Sequence, residues 1–273
     1  MQQVRQPRLA EIVAAQLRED ILTGRLKEGD LLANQERLFS EYQVSPPALR
    51  EAMRILETDG LITVRRGNVG GAVVHVPTPQ RAAQMIAMVL QTRATSPTEV
   101  SVALGYLEPI CARLCALRDD RAASVVPVLR EIVDNQRANI EDTEEYLRYS
   151  RDFHGNIVGL CGNEPMIVVI GALQAIWSAH DSLVWETIAD GIDVEADPTA
   201  PLSRNTRRAA LRAHEKLVDE IEAGNADKAY NQAAAHLRAA HTNTLRSSDD
   251  RKIVASLLTN TRLGSSPSNV RMG

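Results

Sequence analysis

Val44-Ser45-Pro46-Pro47-Ala48-Leu49-Arg50-Glu51-Ala52-Met53-Arg54-Ile55-Leu56-Glu57-Thr58-Asp59-Gly60, running on into Leu61-Ile62-Thr63-Val64-Arg65-Arg66-Gly67, is the stretch that decides the architecture. Leu49, Ala52, Met53 and Leu56 recur at helical spacing and share one face. Pro46 and Pro47 suit a first turn, where the backbone N–H has no intrahelical partner, and the Ser45 hydroxyl is suited to capping the free amides. Asp59-Gly60 reads as a helix stop. Arg50 and Arg54, four residues apart, share a second face. A helix with one apolar and one cationic face suits a DNA major groove, where an arginine near the N-terminal end grips guanine or clamps a phosphate.

Upstream, Leu9, Ile12, Val13, Leu17, Ile21 and Leu22 predict a helix over 8–23, stopped at Gly24, and Leu38, Phe39 and Tyr42 predict a second over 34–43. Gln43-Val44-Ser45 then makes a tight turn into the third helix. Downstream, residues 61–76 read as two β-branched strands joined by a glycine-rich turn, with Arg65, Arg66 and Gly67 at the tip. Three helices and a hairpin make a winged helix-turn-helix, whose basic wing can enter a minor groove. The first 76 residues carry ten basic and ten acidic side chains, so the net charge of −4 lies in the remainder. With no attractive average field, DNA binding by this segment has to rest on local arginines and on dimerisation.

Pro77-Thr78-Pro79 punctuates the chain, and only helical patterns follow, at 79–93, 97–118, 120–139, 143–161, 164–188, 205–223 and 226–246. The expected organisation is a mainly α protein. A winged helix-turn-helix occupies 1–76, a linker 77–80, a bundle of six to seven helices 81–246, and a polar tail 247–273. The stretch from Asp190 to Arg204 reads as a loop. At 273 residues, 44% hydrophobic and 24% charged, the chain has the profile of a folded two-domain protein rather than a disordered one. The near-apolar run Met166–Ile176 falls short of the ~20 residues that span a bilayer, so no membrane partner is expected. The first residues lack the apolar run of a secretion signal, and there are only three cysteines, at 111, 115 and 161. A reducing cytoplasm fits. Cys111 and Cys115, on one helix face, read as buried small apolar side chains.

Three of the six histidines have apolar neighbours at helical spacing. His154 lies with Leu147, Ile157, Val158 and Cys161, His214 with Leu211, Leu217 and Ile221, and His236 with Ala229, Ala233 and Ala240. A lone inward histidine is ordinarily a hydrogen-bonded core residue. Three from separate helices suit a divalent ion such as zinc or nickel. His180, among Trp177, Val184 and Trp185, reads as core or pocket lining. Two functional classes stay open: a DNA-binding regulator controlled by a small-molecule effector, and a metal-dependent hydrolase whose three histidines hold zinc with a position open to water.

Residues 8–76, through Gly29-Asp30-Leu31-Leu32, Val44-Ser45, Leu49-Arg50-Glu51-Ala52, Leu56 and Asp59-Gly60-Leu61-Ile62, resemble the winged-helix domain of the GntR family of bacterial transcription regulators. The resemblance implies DNA contacts at Arg50, Arg66 and Gly67, to which Arg37, Ser45, Arg54 and Arg65 are added as candidates. Pro46-Pro47 stand where the family usually has Arg-Thr. Phe153-His154, Ala213-His214, Ala235-His236-Leu237, Leu107-Glu108-Pro109 and Gly162-Asn163 resemble the FCD effector domain of FadR-type members, over roughly 80–245. It implies a metal held by His154, His214 and His236 beneath a small carboxylate ligand. Ser150 stands where metal-binding members have aspartate. With Trp177 and His180 it forms the expected effector pocket, for an organic acid or a more lipophilic acyl compound. The expected assembly is a homodimeric repressor on an operator of double-stranded DNA.

Overall fold

The computed structural model describes residues 8–32, 35–65, 71–189, 203–245 and 252–260. The chain divides into two compact units, Met1–Thr78 and Pro79–Gly273. In the first, helices α1 (Leu9–Leu22), α2 (Gln35–Tyr42) and α3 (Pro46–Thr58) precede a hairpin of β1 (Ile62–Arg65) and β2 (Gly71–Val74). The strands are antiparallel, with Ile62 opposite Val74 and Arg65 opposite Gly71. Leu49, Ala52, Met53 and Leu56 of α3 are all buried, in one core with Val13, Leu17 and Ile21 of α1, Leu38 of α2 and Ile62 and Val74 of the hairpin. This places the apolar stripe of α3 inward, so Arg50 and Arg54 face solvent.

Both ends of α3 follow from local chemistry. Gly60, at φ 71°, takes the left-handed conformation that lets its N–H reach Glu57 O (3.0 Å) while Leu61 N–H reaches Leu56 O (2.9 Å). At the other end Ser45 occupies the cap position, but its hydroxyl accepts no capping hydrogen bond, contrary to expectation. Pro47 removes one of the two amides that a capping oxygen reaches, the second helical N–H, and the third, that of Ala48, is not engaged by the hydroxyl. A further strand-like contact precedes α2. Leu31 bridges to Val73, Leu32 N–H donates to Ala72 O and Val74 N–H to Asp30 O, both at 2.9 Å. The chain entering α2 is thereby tied to the hairpin.

The second unit contains α4 (Pro79–Thr92), α5 (Pro97–Leu117), α6 (Arg121–Ser124), α7 (Val126–Ala138), α8 (Thr143–Gly159), α9 (Glu164–Ala189), α10 (Arg204–Glu222), α11 (Ala226–Leu245) and α12 (Leu257–Asn260). Ser96 opens α5 with a capping box: Glu99 N–H donates to Ser96 Oγ and Ser96 N–H to Glu99 Oε2. The single helix expected over 120–139 is two. Pro127 has no N–H for the carbonyl one turn back, and the chain restarts as α7 with that proline in its first turn. One helix among the described residues, α5, is long and apolar enough to cross a bilayer. Its inner face, including Ser101 and Glu108, is buried against α8, α9, α10 and α11, which makes it a core helix.

The expected polar tail contains a packed segment. Ile253, 1% exposed, and Ala255 join the helical core, and α12 lies against α4 and α9. Ile253 N–H donates to Thr95 O (3.0 Å), Ala255 N–H to Gln91 Oε1 (2.9 Å) and Val254 N–H to His180 Nε2 (2.9 Å). His180 is the pivot of this strap. Its Nδ1–H donates to Ile176 O at 2.8 Å, which leaves Nε2 as the acceptor for Val254. Burial lowers the His180 pKa, and the hydrogen bond to Ile176 only partly offsets this.

Two outcomes are expected. Ile253→Ala lowers the unfolding free energy by about 2–5 kcal/mol, read from denaturant titration, whereas a protein as stable as wild type removes the strap from the core. Because the folded state favours neutral His180, the clamp is fully present above about pH 6.5, the unfolded imidazole value, and is lost as pH falls below it towards the depressed folded pKa. The protection factor of the Val254 amide, the unstructured exchange rate at the same pH relative to its own, therefore falls on acidification through that range. In His180→Ala the protection factor is low throughout, and equal exchange in the two proteins at pH 7.5 contradicts the clamp.

Candidate functional site

His154 comes from α8, His214 from α10 and His236 from α11, each where the apolar stripe of its helix turns inward. His214 is fully buried and His236 is 8% exposed. Their Nε2 atoms converge: His214 to His236 is 2.9 Å and His236 to His154 is 3.3 Å, with all three ligand atoms within 4.8 Å of one another. The far side of two rings is held in turn. His154 Nδ1–H donates to Glu108 Oε1 of α5 (2.5 Å), since a carboxylate has no proton to give, and His214 Nδ1–H donates to Gln136 Oε1 of α7 (2.8 Å). Glu108 Oε2 accepts from Gln174 Nε2 of α9 at 2.8 Å. Phe153 stacks on the His214 ring, 4.0 Å between centroids.

Proton counting shows what this arrangement can do. With protons on Nδ1 of His154 and His214, their Nε2 lone pairs face each other, and His236 has at most one Nε2–H to offer between them. Burial, and then the neighbouring His236 and His154, hold the His214 pKa well below the usual imidazole value, so protonation there does not relieve the crowding. Three inward lone pairs are a ligand set for a borderline divalent cation. In a tetrahedral zinc site with bonds of ~2.0–2.1 Å, nitrogen ligands lie about 3.4 Å apart, matching the 3.3 Å between His236 and His154 and somewhat wider than the 2.9 Å between His214 and His236. Gln136 adds a second mark. The side chain is fully buried, and its Nε2 has no hydrogen-bond partner. A donor left over beside an imidazole cluster fits an anionic oxygen bound next to it. The residues therefore fit a metal with an oxygen ligand: His154, His214 and His236 would hold it, and it would supply a positive centre for a carboxylate.

Glu108, Gln136 and Gln174 were not among the candidates. Glu108 was visible as an acid on a helix face otherwise apolar, and Gln136 as the residue three beyond Val133 and seven beyond Leu129, both buried. Of the remaining expected pocket residues, Ser150 is half-buried one turn before His154, and Trp177 is half-buried against the helical core. His180 instead spends both ring nitrogens on Ile176 and Val254. Cys111, Cys115 and Cys161 are buried. Burial raises the thiols of Cys111 and Cys115, the latter to about 12, which keeps them protonated and unreactive.

In the first unit Arg37, Ser45, Arg50, Arg54 and Arg65 are exposed, with Arg50 in the first turns of α3 and Arg65 at the end of β1. Arg54 is engaged on its own helix, its Nε 2.9 Å from Glu51 Oε2 and its terminal nitrogen 2.7 Å from Oε1, so part of its charge is answered. Arg66 and Gly67 lie outside the described residues.

Residues 9–73 match the family described as bacterial regulatory proteins, gntR family, and residues 99–239 match the FCD domain. The HTH-type transcriptional regulator Mce2R of Mycobacterium tuberculosis is 26% identical over 90% of this chain and 95% of its own length. The Uxu operon regulator of Haemophilus influenzae is 22% identical over 81% of this chain and 76% of its own length. Among solved structures, Streptococcus agalactiae GntR superposes with a TM-score of 0.59 at 21% identity, covering 85% of this chain and 99% of that one, which shows a shared fold.

Zinc titration of the purified protein against a chromophoric chelator is expected to give one tight site. His214→Ala abolishes it. Glu108→Gln, which trades the charged partner of His154 for a neutral one, weakens it by roughly 10-fold or more. Unchanged affinity in Glu108→Gln removes that carboxylate from the role.

Proposed function

Because the chain belongs to the GntR family of bacterial regulatory proteins and carries an FCD domain, we propose that it is a cytoplasmic, homodimeric repressor whose affinity for a pseudo-palindromic operator is set by a small acidic effector in the helical unit. That it is a DNA-binding transcription regulator, and not an enzyme, follows from the family and from relatives that are themselves transcription regulators. The hydrolase alternative is not favoured. Both oxygens of Glu108, the carboxylate bonded to the cluster, are taken by His154 and Gln174, which leaves it poorly placed to act as a base.

The observation that carries the sensing part is the meeting of three Nε2 atoms, two of them on buried rings and that of His154 on a partly buried one, beside the leftover donor of Gln136. In this reading His154, His214 and His236 hold a divalent ion, and Gln136 Nε2 donates to a carboxylate oxygen of the effector. Phe153 and the apolar core exclude water, which strengthens each polar contact. Effector binding regulates only so far as it favours one arrangement of the protein over another, and repression relieved by ligand corresponds to preferential binding to the form with weak DNA affinity. On the DNA side, Arg50 reads base edges or clamps a phosphate from the start of α3, with Arg65 and Arg66 reaching from the wing and Arg37 and Ser45 meeting the backbone.

The test is an electrophoretic shift with the region upstream of the protein's own gene, with and without the small molecule that native mass spectrometry finds co-purified. The complex forms without ligand and dissociates with it. Arg50→Ala raises the dissociation constant by about 10- to 100-fold, the ~1–3 kcal/mol of one bidentate base contact, and Arg54→Ala has the smaller effect because Glu51 already engages it. Equal binding by wild type and Arg50→Ala sinks the assignment of that arginine.

A further inference from the structure

Helix α5 divides cleanly between two faces. Ser101, Leu104, Glu108, Cys111, Ala112 and Cys115 are buried, whereas Val102, Tyr106, Ile110 and Leu117 point out at 49%, 70%, 37% and 57% exposure. At about 100° per residue, 102, 106, 110 and 117 fall within one stripe, and Glu99 and Arg113 lie in the same stripe. An exposed aromatic and three aliphatic side chains in line over four turns are an apolar surface of the kind that a partner covers. The inner side of α5 is already occupied by α8, α9, α10 and α11, so the outer stripe is what remains for another chain.

The order of residues along the stripe selects that chain. Val102 lies four before Tyr106 and Ile110 four after it, while Glu99 lies seven before and Arg113 seven after. A twofold axis through Tyr106 would set two copies of α5 antiparallel, place Tyr106 on Tyr106, Val102 on Ile110, and the acid of each copy on the arginine of the other. Such a stripe is complementary to itself in both shape class and charge, as an isologous contact requires. Glu99 keeps its cap on Ser96 in this arrangement, and Arg113 keeps its 3.1 Å pair with Asp227 of α11 and gains a second acid.

We infer that the outer stripe of α5 is the interface through which two copies of this chain associate, antiparallel about Tyr106. The inference rests on the homodimer in the proposed function and says which surface makes it.

Analytical ultracentrifugation of the full chain separates the two. A wild type that is monomeric at all concentrations overturns the dimer itself. A wild-type dimer that persists in Tyr106→Glu with an unchanged dissociation constant overturns this interface alone. The expected result is a wild-type dimer and at least a 100-fold weaker one in Tyr106→Glu, with the helical circular dichroism retained. Cross-linking guards against a folding defect. The native cysteines are all buried, so Tyr106→Cys under mild oxidation by oxidised glutathione is expected to give a disulfide dimer on a non-reducing gel: two thiols become one disulfide as glutathione disulfide is reduced to two thiols. An equimolar mixture of Val102→Cys and Ile110→Cys cross-links more than either alone. Absence of cross-linking in Tyr106→Cys, in a sample that sediments as a dimer, counts against the antiparallel register.

Discussion

The helical unit is organised around a shortage of protons. Two buried imidazoles and a partly buried third meet with His236 Nε2 within hydrogen-bonding distance of both others, and two of the rings turn their protons outward to Glu108 and Gln136, so the inner nitrogens share at most one hydrogen among them. Buried polar atoms without partners are costly, and this cost falls where α5, α7, α8, α9, α10 and α11 each contribute a side chain. The arrangement is tolerable as a hydrogen-bonded knot and well suited to a cation. Because the His154 and His214 rings are each held from behind by a residue of another helix, a shift of either at its Nε2 side is felt directly at Glu108 or Gln136, and through Glu108 at Gln174 on α9. Few other positions in a bundle of apolar contacts are connected so directly.

The winged-helix unit is organised by the opposite logic. Its core is apolar throughout, and its chemistry lies on the outside, on side chains whose only structural duty is to be carried there. Arg50 and Arg54 differ in this respect although they share a helix face: the carboxylate of Glu51 engages Arg54 and moderates its charge, while Arg50 occupies the exposed first turns of α3. The segment at Leu31, paired with Val73, braces the hairpin from the side of α2. The hairpin is thus fixed at its base by backbone hydrogen bonds.

Much of this was legible in the sequence where a single helix or strand carries the information. Leu49, Ala52, Met53 and Leu56 face inward because helical periodicity is a local property, and the inward histidines are legible for the same reason. That the three meet, and that Glu108 and Gln136 stand behind them, depends on how separate helices pack, which periodicity does not encode. Gln136 and Gln174 look like surface residues by type, and only the burial of the first beside Val133 and Leu129 and the bond of the second to Glu108 mark them. The strap over 252–258 was hidden by composition: Ile253 and Ala255 are packed, but serines, arginines and asparagines around them dominate any window average. Pro127 and Pro47 are different cases. Each lacks an N–H, as the sequence states openly: at Pro127 the expected helix divides, and at Pro47 one of the two amides open to a Ser45 cap is gone.

The prolines that open α3 also govern how the protein meets an ionic medium. A helix N-terminus ordinarily presents several backbone amides to a phosphate, but Pro46 and Pro47 withdraw two of them at the first two positions. Neutralising DNA phosphates then falls to arginine side chains. A cation displaces the counterions condensed on DNA, and a neutral amide does not. Affinity built this way falls with added salt by about 0.9 decade per decade for every phosphate neutralised. With no net positive charge in the winged-helix unit and two amides fewer at the start of α3, binding of DNA through this helix would rest on its arginines and weaken correspondingly as salt rises.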